Sequence, residues 1–308
     1  MTGPWKRITP ATADAVPPPA PEELAQFEAR KPMRSLDELI VAEPVRHRLD
    51  LALRLIQNHE TLYHHWNLKA IDPYRRGTAV NLYGPPGTGK SLAAECLASH
   101  LGRRFIDVDY AEIESRYVGD TPKNIVRCFA AAERDDAVLI FNEADSILGS
   151  RLSNVTQSGD HSVNVSRAVM LSQLDRFAGL VVFTSNFPKN YDVAFVRRII
   201  AHVRIPLPDE PTRARLWDTL LPAALPLAPD VDRAALAAHS EGFSGGELVN
   251  VVLGAAGAAV SRAGDERRLT QRDLLDELEN IRRAKSEVGK DHEPPVLVSW
   301  ESAGDVSR

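Results

Sequence analysis

Between Leu36 and about Pro208, short runs of β-branched and aliphatic residues alternate with stretches whose apolar residues recur at helical spacing. The runs are Ala79 to Tyr83, Phe105 to Asp109, Val138 to Asn142, Leu180 to Thr184 and Val203 to Pro206. Strands that alternate with helices predict an α/β fold, a parallel five-stranded sheet covered by helices on both faces. From Glu210 to about Lys285 the period is helical throughout, over Arg213 to Leu220, Arg233 to Ala238, Gly245 to Arg262 and Gln271 to Arg283. This predicts a small all-α lid. The expected organisation is a flexible proline-rich segment over 1–35, a large αβα domain over 36–208, a helical lid over 209–286 and a flexible tail over 287–308. The first segment contains Pro17-Pro18-Pro19 and Pro21 among few large apolar groups, and the tail contains Pro294-Pro295. Neither composition offsets the entropy of ordering.

The chain has 308 residues, 44% of them hydrophobic, and its longest strongly apolar stretches fall far short of a membrane span. Met1 to Pro10 carries charges and prolines in place of an apolar signal core, so a cytoplasmic protein is expected. Cys96 and Cys128 sit in helical patterns beside alanine and leucine, with no metal ligand at useful spacing, and read as core residues. A net charge of −5 offers no basic footprint for a phosphodiester backbone, which disfavours nucleic acid as the partner.

The segment Gly84-Pro85-Pro86-Gly87-Thr88-Gly89-Lys90-Ser91 follows an apolar strand and opens a helix at Leu92. Glycines let backbone N–H groups turn inward, and a helix N-terminus adds partial positive charge, which together cradle a phosphate. Lys90, expected to be exposed to phosphate, neutralises the outer oxygens, and Ser91 Oγ is a magnesium ligand. The fold expected from this motif is the P-loop NTPase αβα sandwich, with ATP and Mg2+ as its ligands. Val138 to Glu143 is a buried strand ending in polar groups, where an Asp-Glu pair usually serves the metal and the attacking water. Here Asn142 stands in the metal position and Glu143 in that of the base. An amide keeps an oxygen but drops a charge whose interaction with another at about 4 Å is worth roughly 4 kcal/mol at an effective dielectric near 20. On that argument hydrolysis is slow, and Asn142→Asp is expected to raise it.

With these motifs in hand, the chain resembles the AAA+ ATPases over about residues 36–285. Thr184-Ser185-Asn186 ends the fourth run where that family has a polar sensor, which implies that Asn186 positions the attacking water. Asp192-Val193-Ala194-Phe195-Val196-Arg197-Arg198 resembles the segment bearing arginine fingers, which implies that Arg197 and Arg198 reach the nucleotide of a neighbouring copy and that the assembly is a ring, expected to be hexameric. Glu241-Gly242-Phe243-Ser244-Gly245-Gly246-Glu247-Leu248 is similar to the lid motif lying against the nucleotide, through Gly245 and Gly246, with Gly246 where some branches carry a sensing arginine. Ile40 and Val41 match the adenine-contacting stretch.

Glu114 to Asp120 resembles the first pore loop of protein unfoldases, which implies that Tyr117 and Val118 grip a polypeptide. Ser158 to His161 is a candidate second pore loop. The stretch from Thr184 to Arg198 is also similar to the pachytene-checkpoint remodellers, which act on HORMA-domain proteins and, in a bacterial setting, imply antiviral defence signalling. Two other functions fit parts of the pattern. A nucleotide-gated scaffold with little hydrolysis suits Asn142, and a DNA-associated motor or loader suits the family but not the charge.

Overall fold

The computed structural model describes residues 27–72, 76–110, 113, 120–149, 158–186 and 191–287. Its contacts divide the chain into two compact units, meeting between Thr212 and Arg213.

The first unit is built on five strands, β1 (Thr78–Tyr83), β2 (Phe105–Asp109), β3 (Val138–Asn142), β4 (Leu180–Ser185) and β5 (Ala201–Arg204). All pair in parallel in the order β2-β3-β4-β1-β5, the sheet expected from the alternating pattern. Successive residues point to opposite faces, so β1 to β4 each feed two cores, while β5 gives Val203 to one of them. Val181 and Phe183 pack with Ile125, Phe129 and Met170 on one face. Leu180 and Val182 pack with Leu49, Leu53 and Leu97 on the other. The helices supplying these residues are α1 (Glu43–Gln57) and α2 (Lys90–His100) on one face, and α3 (Thr121–Asp135) and α5 (Ser158–Arg176) on the other; the four-residue α4 (Asp145–Leu148) follows β3. In α3, Ile125, Cys128, Phe129 and Ala132 recur at one-turn spacing and are all buried, which fixes the face it presents to the sheet. Cys96 and Cys128 are both buried free thiols. Burial pushes the Cys96 thiol up to about 11.

Three expectations shift. The fifth strand lies two residues earlier than Val203–Pro206, because its ladder with β1 runs from Val80 opposite Ala201 to Tyr83 opposite Arg204 and Pro206 has no N–H to extend it. Residues 27–35, expected to be part of a tether, dock instead: Arg30 exchanges backbone hydrogen bonds of 2.8 and 2.9 Å with Phe105, and Glu95 Oε1 accepts from the backbone N–H of Met33 at 2.6 Å. An open strand edge recruits backbone whatever its side chains, which composition does not reveal. Ser158 to His161 forms the first turn of α5, not a loop.

A short helix α6 (Val193–Arg198) joins β4 to β5, and α7 (Glu210–Leu220) crosses into the second unit. That unit comprises the rest of α7 with α8 (Arg233–His239), α9 (Gly245–Val260) and α10 (Gln271–Glu287) around Trp217, Phe243, Leu248 and Leu274. Ser244 and Glu247 form a capping box at the start of α9, and Asp232 caps α8, so both helix starts are set by local sequence. Among the described residues no helix is long and apolar enough to cross a membrane.

Candidate active site

The polar residues singled out by sequence converge at the C-terminal ends of β1, β3 and β4, adjacent strands at the middle of a parallel sheet, where such folds bind their ligands. The loop leaving β1 begins at Gly84, whose φ is 151°; a Cβ there would stand 2.0 Å from the carbonyl oxygen of Ile205, so only glycine lets the loop start against the end of β5. Gly89, with φ 91°, caps α2 without any side-chain bond to its first turn. The first N–H groups of α2 are thereby left to a ligand. Thr88 Oγ1 donates to Pro85 O at 2.9 Å and staples the loop across its own turn, while Pro86 and Gly87 stand exposed.

Lys90 is buried, not exposed as expected, with 8% of its surface accessible. Its Nζ donates to Gly84 O at 3.0 Å and to Pro85 O at 2.8 Å, because a buried ammonium must find acceptors. Burial lowers its pKa, and the nearby charges of Asp145 and Glu143 oppose that shift.

Ser91, the next residue, donates its hydroxyl to Asn142 Oδ1 at 2.7 Å. Thr184 Oγ1 donates to the same oxygen at 2.9 Å and accepts the Glu143 N–H at 3.3 Å. Asn142 Nδ2 donates to Asp107 Oδ1 at 2.5 Å. Ser91 Oγ and Asn142 Oδ1 are hard oxygen donors side by side, and they fit magnesium. Among the described residues no cluster of three or more His, Cys, Asp or Glu side chains could hold a metal alone. The neighbouring Asp107 also revises the expectation for Asn142→Asp, since a second carboxylate would face the first at hydrogen-bond distance.

Glu143 is exposed and has φ 51°, the left-handed region that non-glycine residues rarely adopt. The sharp turn separates its direction from that of Asn142. Two residues on, Asp145 accepts from Ser185 Oγ at 2.6 Å and from the Asn186 N–H at 3.0 Å, tying the end of β4 to the end of β3. Tyr191 OH donates to Ser185 Oγ and itself accepts from Asn81 Nδ2 at 3.3 Å, which extends the chain of bonds into the sheet. Asp145 was missed by motif reading; its signal is an acid two positions after Glu143 at a strand exit.

Val41 is buried among the residues packing α1 to the sheet and Ile40 is half-buried, so any contact of Val41 with a base would run through its backbone. Leu92 packs against the same core. Arg197 and Arg198 line a cavity of about 640 Å3 with Asp72, Arg76 and Phe177, beside Thr78 and Ala79 at the opposite end of β1. Arg198 grips Asp175 through Nε and Nη2, at 2.7 and 2.8 Å. That pair holds its guanidinium pKa above the ordinary value, and burial offsets part of the gain. Gly245 and Gly246 open α9 in the second unit, where Lys285 Nζ lies 5.1 Å from the Phe243 ring centroid. Tyr117 and Val118 lie outside the described residues.

Comparison with known proteins points to one family. Residues 80–207 match the model of the ATPase family associated with various cellular activities (AAA), and residues 230–276 match the AAA+ lid domain. The chain is 31% identical over 242 residues to a proteasome-activating nucleotidase of Aeropyrum pernix, covering 76% of this chain and 57% of that protein. It is 32% identical over 225 residues to spastin of Drosophila persimilis, covering 66% of this chain and 28% of that one. The chain thus spans little more than half, or less, of these relatives' lengths. The crystal structure of the FIGL-1 AAA domain shares the fold, with a TM-score of 0.67, 19% identity, and coverage of 85% of this chain and 89% of that one. The two family matches together span more than half of the sequence, and the chain belongs to the AAA family of ATPases.

Proposed function

We propose that this chain hydrolyses ATP in a ring of identical copies, taken as a hexamer, and uses the energy to remodel or partly unfold a protein client. The observation that carries the hydrolytic reading is the convergence of Lys90, Ser91, Asn142, Glu143 and the Asp145-held Asn186 segment at one end of the sheet. Residues 84–89 with the N-terminus of α2 hold the phosphates, and Lys90 exchanges its loop carbonyls for phosphate oxygens. Ser91 and Asn142 hold the magnesium side, where the ion, when bound, neutralises charge on the phosphate oxygens. Glu143 orients water and takes its proton, and Asn186 helps aim that water. Residues 40–41 contact the nucleotide's base.

Arg197 and Arg198 stand at the end of β1 remote from its phosphate loop, and six residues of strand separate the two ends. Five rises of about 3.3 Å give roughly 16 Å, too far for them to serve the site of their own copy. That separation supports action on a neighbour, hence a closed ring. The client reading rests on Tyr117 and Val118 and on relatives named as a proteasome-activating nucleotidase and a 26S proteasome regulatory subunit. Its finer form, a HORMA-domain client in bacterial antiviral signalling in the cytoplasm, rests on the resemblance of residues 184–198 alone. Asn142 favours a second reading, a nucleotide-gated scaffold with little turnover.

Steady-state phosphate release separates the two. The ATPase reading expects turnover that Glu143→Gln abolishes with ATP still bound, and that Lys90→Ala abolishes by weakening binding at least ~30-fold, as loss of a charge-assisted bond worth about 2 kcal/mol implies. No release above background from the unmodified chain, with client captured by the Glu143→Gln form present, leaves the scaffold. Capture by that form also identifies the client, and a HORMA-domain protein is the expected catch.

A further inference from the structure

The metal-side residue of this site lacks a charge, yet a carboxylate lies one side chain behind it. We propose that Asp107 and Asn142 act together in place of a single magnesium-site carboxylate, Asn142 presenting the oxygen and Asp107 fixing its direction and supplying the negative charge. The inference rests on reading the site as one for magnesium-ATP.

An amide has a donor end and an acceptor end of almost equal size, so on its own Asn142 is as able to aim NH2 at the metal as oxygen. Asp107 removes that choice. An ionised carboxylate only accepts, so the partner at 2.5 Å must be Nδ2, and Oδ1 is turned the other way. The hydroxyls of Ser91 at 2.7 Å and Thr184 at 2.9 Å both donate to that oxygen. Three neighbours on three elements therefore specify one orientation, with the oxygen beside Ser91. The sheet makes the reach possible: Asp107 and Asn142 lie on the same face of paired strands, Asp107 opposite Ile140 and Asp109 opposite Asn142, so the bond runs diagonally across the ladder. Polarisation through the amide passes part of the Asp107 charge to Oδ1, since hydrogen bonds in series strengthen one another. Asp107 is thus a positioning residue. Partners of this kind behind metal ligands typically control metal affinity by 10- to 100-fold.

The arrangement makes a reciprocal prediction that a merely structural pair does not. In Asp107→Asn/Asn142→Asp the amide and carboxylate trade places: the new amide at 107 donates to the new carboxylate at 142, which still accepts from Ser91 and Thr184. Every bond keeps a donor and an acceptor, and side-chain volume is unchanged. Asn142→Asp alone faces one carboxylate with another.

The test is titration of a fluorescent ATP analogue onto the full chain in excess Mg2+ and in EDTA, the ratio of the two affinities giving the magnesium-dependent part, with thermal melting of each apo protein alongside. Relative to the unmodified chain, Asp107→Asn should lower that ratio about tenfold while EDTA binding stays within about twofold. Asn142→Asp should lower both the ratio and the melting temperature, and the exchange variant should recover both. An unchanged ratio in Asp107→Asn overturns the proposal. So does a stable exchange variant whose ratio stays low, and that variant decides the matter if Asp107→Asn does not fold. Absence of any magnesium-dependent binding by the unmodified chain would instead remove the reading of the site beneath it, with Lys90→Ala as the control for specific binding.

Discussion

Arg198 closes a two-pronged ion pair on Asp175, bridging the end of α6 to α5 within one subunit. A guanidinium whose fork is engaged in this way is held in one orientation. The pair is part-exposed, so its worth is about 0.5–1 kcal/mol. Arg198→Ala and Asp175→Ala should each lower the melting temperature by roughly 1–4 °C, and the double variant by less than the sum of the two, because the ion pair they share is lost once. Additive losses in a thermal scan would mean that the two residues act apart.

If Arg197 and Arg198 complete the site of the neighbouring copy, two inactive variants should repair each other. An Arg197→Ala/Arg198→Ala subunit keeps an intact phosphate loop, and a Lys90→Ala subunit keeps intact arginines. Co-assembled, they form some interfaces with both parts, and phosphate release should reappear. Sedimentation should show ATP-favoured oligomers, since a ligand bound across an interface stabilises the assembly holding it. Proven mixed rings without activity would count against action in trans.

The helical unit should be acid-labile. Burial pushes the Glu247 carboxyl up, but the Ser244 N–H and hydroxyl and Lys285 at 2.9 Å outweigh it and hold its pKa below the ordinary range. Asp273 is likewise held low: against the opposing effect of burial, it accepts from Arg262 at 2.6 Å and from Thr270. A depressed folded-state carboxyl contributes stability that is complete above its unfolded pKa, near 4.5 for Glu247, and is lost as pH falls through the folded value. Melting followed from pH 7 downward should therefore show a loss beginning near pH 4.5. Glu247→Gln, which keeps the cap but not the charge, should cost about 0.5–1 kcal/mol at pH 7 and flatten that slope. An identical pH profile in the variant would show that Glu247 contributes nothing to it.

How far the sequence reaches can be judged from particular residues. Glycines at 84 and 89, Lys90 and Ser91 were legible because the motif states backbone requirements, a φ of 151° at Gly84 and of 91° at Gly89, that few other residues meet. β1, β3 and β4 were legible because near-continuous apolar runs mark strands buried on both faces. Asp107 was not, since in Phe105-Ile106-Asp107-Val108-Asp109 an acid at alternating spacing reads as a solvated strand face, and its bond to Asn142 depends on which strands adjoin. The docking of residues 27–35 was hidden for the same reason, because it uses backbone at an edge whose existence follows from strand order. Lys90 was expected to be exposed to phosphate, and its burial against the Gly84 and Pro85 carbonyls was not legible because a motif names a charge but not the acceptors around it.

Work on a client is the central claim, and if Tyr117 grips that client its removal separates the work from the chemistry. An aromatic ring offers contact worth about 0.5–1.5 kcal/mol beyond its buried area and makes no demand on sequence, and a ring of subunits presents one such side chain per copy. The decisive measurement follows phosphate release and loss of native structure in the client captured by the Glu143→Gln form, in the same sample, for the unmodified chain, Tyr117→Phe and Tyr117→Ala. The account expects client remodelling that requires hydrolysable ATP, is retained in Tyr117→Phe, and falls several-fold per ATP consumed in Tyr117→Ala. Remodelling that proceeds without hydrolysis, or at an unchanged yield per ATP in Tyr117→Ala, would contradict it.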